Sequence, residues 1–369
     1  MKLTPRIAVL AAFSACLLPT AKGDNEAHEA ILPELSSSPH RIVSTIPANG
    51  DLNPYGVAFV PDGFQGEGSL EPGDILVSNF NNSQSQGNQQ GRGTTIVKIT
   101  PTTPASHPSF FFQGKAGLGL TTALGILRAG FVLVGNVPTT DGTSDTVMQG
   151  SLLVLNSSGK LIKTLTNSKL LDGPWDLAIH DEGSRAQVFV SNVLSGTVTR
   201  LDVAMEDEED SFEMAGATQI ASGYQHRTDP AALVIGPTGL AYDSERDVLY
   251  VASTGDNAIF AIPGAGKTNH DNGKGKLVYR DKINLHGPLG LVLATNGHLI
   301  ASNGDAVNAG CTPNELVEFT PQGGFVTQFQ VDPGAGGGAF GIAITGSGNN
   351  VRFAAVDDNT NMLHIWNVR

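Results

Sequence analysis

GPTGLAYDSERDVLYVASTGDNAIFAIPG, residues 236–264, reads as three short strands in a row. GLAY is small and apolar. The polar turn SERD follows, then DVLYVAS, then the turn TGDN, then AIFAIPG. Short apolar runs bounded by turn residues are strands rather than helices. The pattern recurs around the chain, and a recurring unit decides architecture before any single residue does.

Its first strand reappears as NPYGVAFV (53–60), TALGIL (122–127), DGPWDLAI (172–179), HGPLGLVL (286–293) and GGAFGIAI (337–344). Aligning Gly56, Gly125, Asp176, Gly239, Gly290 and Gly341 gives intervals of 69, 51, 63, 51 and 51. Glycine inside a strand marks close backbone approach, as inner strands crowded around an axis require. A second strand ending in Asn, Ser or Asp follows each copy, then a third. A more polar fourth strand closes five of the six units, and the sixth runs out at Arg369. The alternating stretch HRIVSTIP (40–47) supplies the missing strand. The sequence therefore predicts an all-β fold: a six-bladed β-propeller of four-stranded antiparallel blades, closed by strand 40–47 in the last blade. Closure removes the sheet edges that would otherwise invite aggregation.

The domain plan follows. Lys2 and Arg6 precede an apolar run, Ile7 to Leu18, which is too short to span a bilayer well. Ala21-Lys22-Gly23 offers small residues for cleavage before Asp24, so residues 1–23 read as a signal peptide and the protein as exported, periplasmic or extracellular. Cys16 in FSAC gives a weaker alternative, a lipoprotein anchor. Residues 24–39 read as a flexible leader and 40–369 as a single propeller domain. No later stretch is long and apolar enough to cross a membrane.

The chain has 369 residues and a formal net charge of −13. Loss of Lys2, Arg6 and Lys22 would leave 19 basic against 35 acidic side chains, or −16. Such a surface repels nucleic acid. Of the 2 cysteines only Cys311 would remain, which rules out an internal disulfide framework. The acidic run Glu206 to Asp210 lacks the spacing of a calcium loop and reads as a solvated hairpin tip.

The G-[LIV]-A strand, polar turn, strand ending in Ser or Asn, and x-I-x-x-[IV] strand resemble the NHL-repeat and SMP-30/gluconolactonase-like six-bladed propellers over residues 40–369. The resemblance implies the fold, and a group that ranges from calcium-dependent lactonases to non-catalytic binding scaffolds. Its lactonases hold their metal with an acid in the first blade, an Asn in a P-N-G turn and an Asp at a second-strand end. Here those positions carry Asn53, Thr238 and Ser253.

Chemistry is expected on the face where second strands end. Asn79, Asn136, Asn192, Ser253, Ser302 and Asp357 stand there, one per blade, followed by Thr254, Asn303 and Asp358. Such a ring could bind a ligand, tie blades together, or hold a hard cation such as Ca²⁺, which takes six to eight oxygens. Asp357, Asn192 and Asn136 are the metal candidates. His226 and His286, in the loops 222–238 and 280–288, are candidate acid–base residues if they meet near the axis. The loops 81–94, 138–150 and 304–313 are rich in Asn, Gln, Ser, Thr and Gly. They suit a small polar ligand, a carbohydrate or a protein partner.

Overall fold

The computed structural model describes residues 29–101, 108–206, 211–304, 306–307, 314–332, 334 and 336–368. The signal-peptide and lipobox stretches, Cys311 and most of the acidic run lie outside them.

Six four-stranded antiparallel sheets surround one axis. Blade 1 holds Leu52–Phe59, Ile75–Asn81, Thr95–Ile99 and Ser109–Gln113. Blade 2 holds Leu120–Ile126, Phe131–Asn136, Ser151–Asn156 and Leu161–Leu165. Blade 3 holds Pro174–Asp181, Arg185–Asn192, Thr197–Met205 and Phe212–Ala221. Blade 4 holds Pro237–Asp243, Val248–Ser253, Ala258–Pro263 and Lys276–Tyr279, and blade 5 holds Pro288–Leu293, Leu299–Asn303, Leu316–Phe319 and Phe325–Phe329. Blade 6 takes Ile342–Thr345, Val351–Asp357 and Met362–Val368, and its outer strand is His40–Ser44. That outer strand pairs antiparallel with the chain's last strand, from His40 opposite Trp366 to Ser44 opposite Met362. The two ends of the chain thus close the ring through backbone hydrogen bonds.

Second strands are buried on both faces, as in VLYVAS of blade 4, because neighbouring blades cover them. Fourth strands are half exposed, as in LIKTL of blade 2. This gradient explains why the inner strands read as continuous apolar runs and the outer ones alternate.

Structural pairing moves one position of the repeat. Leu124 opposes Val134 as Val57 opposes Val77 and Leu240 opposes Val251. The blade 2 counterpart of Gly56 is therefore Ala123, not Gly125, and the intervals become 67, 53, 63, 51 and 51. Each first strand in blades 1 to 5 carries an irregularity just before this point. Blade 2's is one residue longer, which the sequence repeat could not show.

Two further stretches depart from expectation. Part of the leader is ordered. Residues Ile31–Leu35 form a short helix with Ile31, Leu32 and Leu35 buried against the flank of blades 5 and 6. The buried Glu318 carboxylate accepts the Ile31 and Leu32 amides at 3.1 and 2.9 Å, taking up orphan donors of that first turn. The loop 222–238 also contains structure, a hairpin of Arg227–Asp229 and Leu233–Ile235.

Candidate functional site

The first strands begin, and the second strands end, on one face of the ring. The residue just before each aligned position is Tyr55, Thr122, Trp175, Thr238, Leu289 or Phe340. Three of the six are aromatic, and they meet. Tyr55 stacks between Phe80 and Phe340, with ring centroids 4.5 and 4.7 Å apart. Trp175 stands edge-on to Tyr55 at 5.8 Å and to Phe80 at 5.6 Å. Leu233 and Val234 of the hairpin join the same buried cluster, with Val193 and Leu289. The axial end of this face is therefore an aromatic layer covered by a hairpin.

Within it lies a cavity of about 110 Å³. Tyr55, Trp175, Val234, Leu289 and Phe340 form its apolar wall. Asn53, Gln90, Thr238, Thr254 and Asp358 add polar edges. The indole Nε1–H of Trp175 is buried without a hydrogen-bond partner, and so is Oδ1 of Asn53. Buried polar atoms are rarely left unpaired, so each such atom calls for a reason.

The ring residues have other partners. Asn79 donates to the Thr95 hydroxyl at 3.1 Å and to Thr45 O at 3.4 Å. Asn136 donates to the Ser151 hydroxyl at 2.7 Å. Asn192 donates to Leu170 O, Thr197 Oγ1 and Thr199 Oγ1, and accepts the Asp172 amide at 3.1 Å. Asn303 accepts the His286 amide at 2.8 Å and donates to Asn284 O and Asn314 O. Ser253 bonds Asp256 at 2.8 Å. Asp357 accepts the Asn359 amide at 3.0 Å, the Thr360 amide and the Thr360 hydroxyl. Asp358 lines the cavity, and its amide donates to Gly338 O.

The metal candidates thus hold bonds in three different blades: Asn136 in blade 2, Asn192 in blade 3, Asp357 in blade 6. Among the described residues no group of three or more His, Cys, Asp or Glu is placed to hold a metal ion. Burial nevertheless perturbs the acids around Asp357. Its own carboxyl is pushed up to about 6 by burial and by Asp332. Glu315, which accepts the Val331, Asp332 and Gly338 amides, is pushed up to about 7 by burial.

The two histidines occupy different settings. His226 is exposed, with Nδ1 2.9 Å from Tyr224 O and its ring against Gly196 of blade 3. His286 is buried beside blade 5, its amide on Asn303. The Asn-rich loops are held to each other. Asn82 and Gln89 share three hydrogen bonds, Gln89 donates to Asp141 O at 3.0 Å, and Thr139 donates to Gln90 O at 2.6 Å.

Hydroxyls and one carboxylate tie successive inner strands together. Ser78 donates to Thr121 O at 2.8 Å, joining blades 1 and 2. Thr121 donates to Pro174 O at 2.8 Å, joining blades 2 and 3. Asp176 accepts the Leu240 amide at 3.0 Å, joining blades 3 and 4. Thr238 and Thr254 both reach Pro288 O, and Ser302 reaches Phe340 O at 2.7 Å. Between blades 6 and 1 the backbones come so close that a Cβ on Gly341 would lie 1.9 Å from Tyr55 O. Thr238, where the resembling lactonases carry Asn, therefore serves a joint between blades.

A scan against protein-family models finds no match, and a search of curated proteins finds none either. Solved structures do match. A gluconolactonase from Xanthomonas campestris superposes with a TM-score of 0.55 at 12% identity, covering 89% of this chain and 90% of that one. Regucalcin from Agrobacterium tumefaciens, described as a calcium-binding protein, gives 0.51 at 13%, covering 88% and 95%. A putative glucose dehydrogenase from Thermus thermophilus also gives 0.51, at 12% identity, covering 89% and 100%. The fold is that of the SMP-30/gluconolactonase-like six-bladed propellers. At this identity the likeness covers the fold and leaves the chemistry to the site.

Proposed function

We propose that this propeller is a binding protein, which takes a small ring-bearing ligand into the aromatic cavity on its axial face. The observation that carries this reading is the buried, unpartnered indole N–H of Trp175, a residue that lines a cavity with both polar and apolar walls. A ligand with a flat apolar body and one acceptor atom would pack against Phe340 and the edge of Tyr55 and take that hydrogen bond. An apolar cavity of about 150 Å³ holds a benzene-sized molecule, so about 110 Å³ sets the scale for the buried part. The polar atoms of Asn53, Thr254 and Asp358 would orient its edge. The same face, with its Asn-rich loops, is also the surface we assign to a carbohydrate or protein partner. The basic and apolar N-terminal stretch supports export, which a fractionation of expressing cells would check.

The test uses the full chain. Phenol, indole and glucono-δ-lactone are titrated while tryptophan fluorescence is followed. Phenol or indole should bind saturably, and Trp175→Phe should weaken binding about tenfold, the value of one lost buried hydrogen bond. The competing reading, a divalent-metal-dependent lactonase- or lyase-type enzyme, draws on the likeness to gluconolactonases. Ca²⁺-dependent opening of glucono-δ-lactone by the wild type, lost in Asp357→Ala, would replace the binding reading with that one.

A further inference from the structure

Beneath the aromatic layer the axis continues as a second cavity of about 310 Å³. Inner strands of all six blades wall it. Its lining passes from Val57, Leu177, Leu240 and Leu291 toward Ile179, Leu293 and Ile344 at the far ends of those strands. Apart from Thr122, Asp176 and Tyr242 its lining side chains are apolar or glycine, while polar atoms make up about half of the open wall. Asp176 and the phenol of Tyr242 are the titratable side chains among the lining residues. The Tyr242 hydroxyl donates to Asp247 at 2.9 Å, and burial raises its pKa further above its ordinary value.

Asp176 stands where four other blades have Gly56, Gly239, Gly290 and Gly341, and one has Ala123. Its Oδ1 accepts the Leu177 amide at 2.9 Å and its Oδ2 the Leu240 amide at 3.0 Å. The second bond joins blades 3 and 4. That joint alone does not call for a charge, because Ser78, Thr121, Thr238 and Ser302 make four of the other five joints with neutral hydroxyls. A carboxylate has about four acceptor sites, and two are filled here. The rest lie on a side chain that lines the channel. Asp176 is part-exposed, opening on the channel, and burial among the inner strands pushes its carboxyl up to about 8.

We propose that the axial channel binds a primary alkylammonium, its hydrocarbon tail lying along the inner strands and its cationic head at Asp176. The head gains a charge-assisted hydrogen bond to oxygens already fixed by two amides. The tail meets the side chains of Val57, Leu177, Leu240 and Leu291. The chain's negative charge of −13 draws cations toward it. This site lies on the other side of the aromatic layer from the cavity containing Trp175, and its failure would leave that reading standing.

The pH dependence has a definite sign. An ammonium pairs with the ionised carboxylate, so binding below about pH 8 must displace the Asp176 proton. Affinity therefore rises with pH up to about 8, by about tenfold per unit, while Tyr242 stays protonated throughout.

Titration calorimetry of the full chain at about pH 8 tests the proposal, with butyl-, hexyl- and octylamine, octanol and octanoate as probes. Octylamine should bind with displacement of a proton at lower pH, and affinity should rise about fourfold per methylene. Asp176→Asn, and Asp176→Gly, which installs the residue of four other blades, should weaken octylamine about ten- to hundredfold. Both variants are checked for folding by thermal melting. The proposal is overturned if octanol or octanoate binds wild type as tightly as octylamine. It is equally overturned if octylamine does not bind wild type, or if it binds folded Asp176 variants unchanged.

Discussion

Asn192 shows what the polar ring contributes at the scale of one residue. It is fully buried, and its amide group holds Leu170 O, two threonine hydroxyls and the Asp172 amide. Replacing it by alanine leaves several buried groups unpaired, each costing about 1–3 kcal/mol. Asn192→Ala should therefore lose about 2–3 kcal/mol in a urea titration, with the same loss in Ca²⁺ and in EDTA. A loss confined to the Ca²⁺ sample would mean that the amide is a ligand. The residue type was legible in the sequence, one per blade. Which way its amide points was not, because Leu170 and Asp172 come from the connection between blades. The aromatic layer had a sequence signal too. Tyr55, Trp175 and Phe340 each precede the aligned position, but only the closed ring brings three different blades to one axis.

At the scale of elements, the closing strand rests on a stack of rings. His40 lies 4.4 Å from Trp366 and its Nε2 is 3.2 Å from His364 Nδ1. Burial pushes His364 down to about 4, and the neighbouring His40 adds to the shift, against the attraction of Asp332. Burial lowers His40 as well. In the unfolded chain a histidine titrates near 6.5. Between about pH 6.5 and 4 the unfolded state therefore binds more protons, and stability falls as pH falls. His364→Phe keeps a ring against Trp366 and removes that proton site. Its melting temperature should drop less than the wild type's between about pH 7 and 5, by scanning calorimetry. An equal drop would place the pH sensitivity elsewhere. The strand was readable from its alternation, HRIVSTIP. The helix before it was not, because five residues carry too weak a pattern. Its order comes from Glu318, nearly three hundred positions away.

For the whole molecule, the ring stands or falls with its closure. Deletion through Ile46 removes the outer strand of blade 6 together with the helix that helps to bury Trp366, Phe353 and Ile342. The exposed edge of Met362–Val368 would then pair with other chains. The truncated protein should associate on size-exclusion chromatography and melt over a broader range than the intact chain. The milder Leu32→Ala should stay monomeric and lose about 2–5 kcal/mol, as buried leucines do. A truncated protein that stays monomeric and melts sharply would show that five full blades and three strands hold without the closing strand.

The sequence by itself determined the repeat, the number of blades, the strand order and the closing strand. These follow from local alternation, turn residues and spacing, which the chain carries in every copy. Only the tertiary structure decided which polar residues tie blades together, that blade 2 matches at Ala123, and that three aromatics close one end of the axis. It also set one carboxylate, Asp176, into the axial channel among mostly apolar side chains. The physical reason is distance along the chain. The partners that tie the blades lie 34 to 64 residues away, in the next blade, and a repeat pattern says nothing about what its neighbour presents.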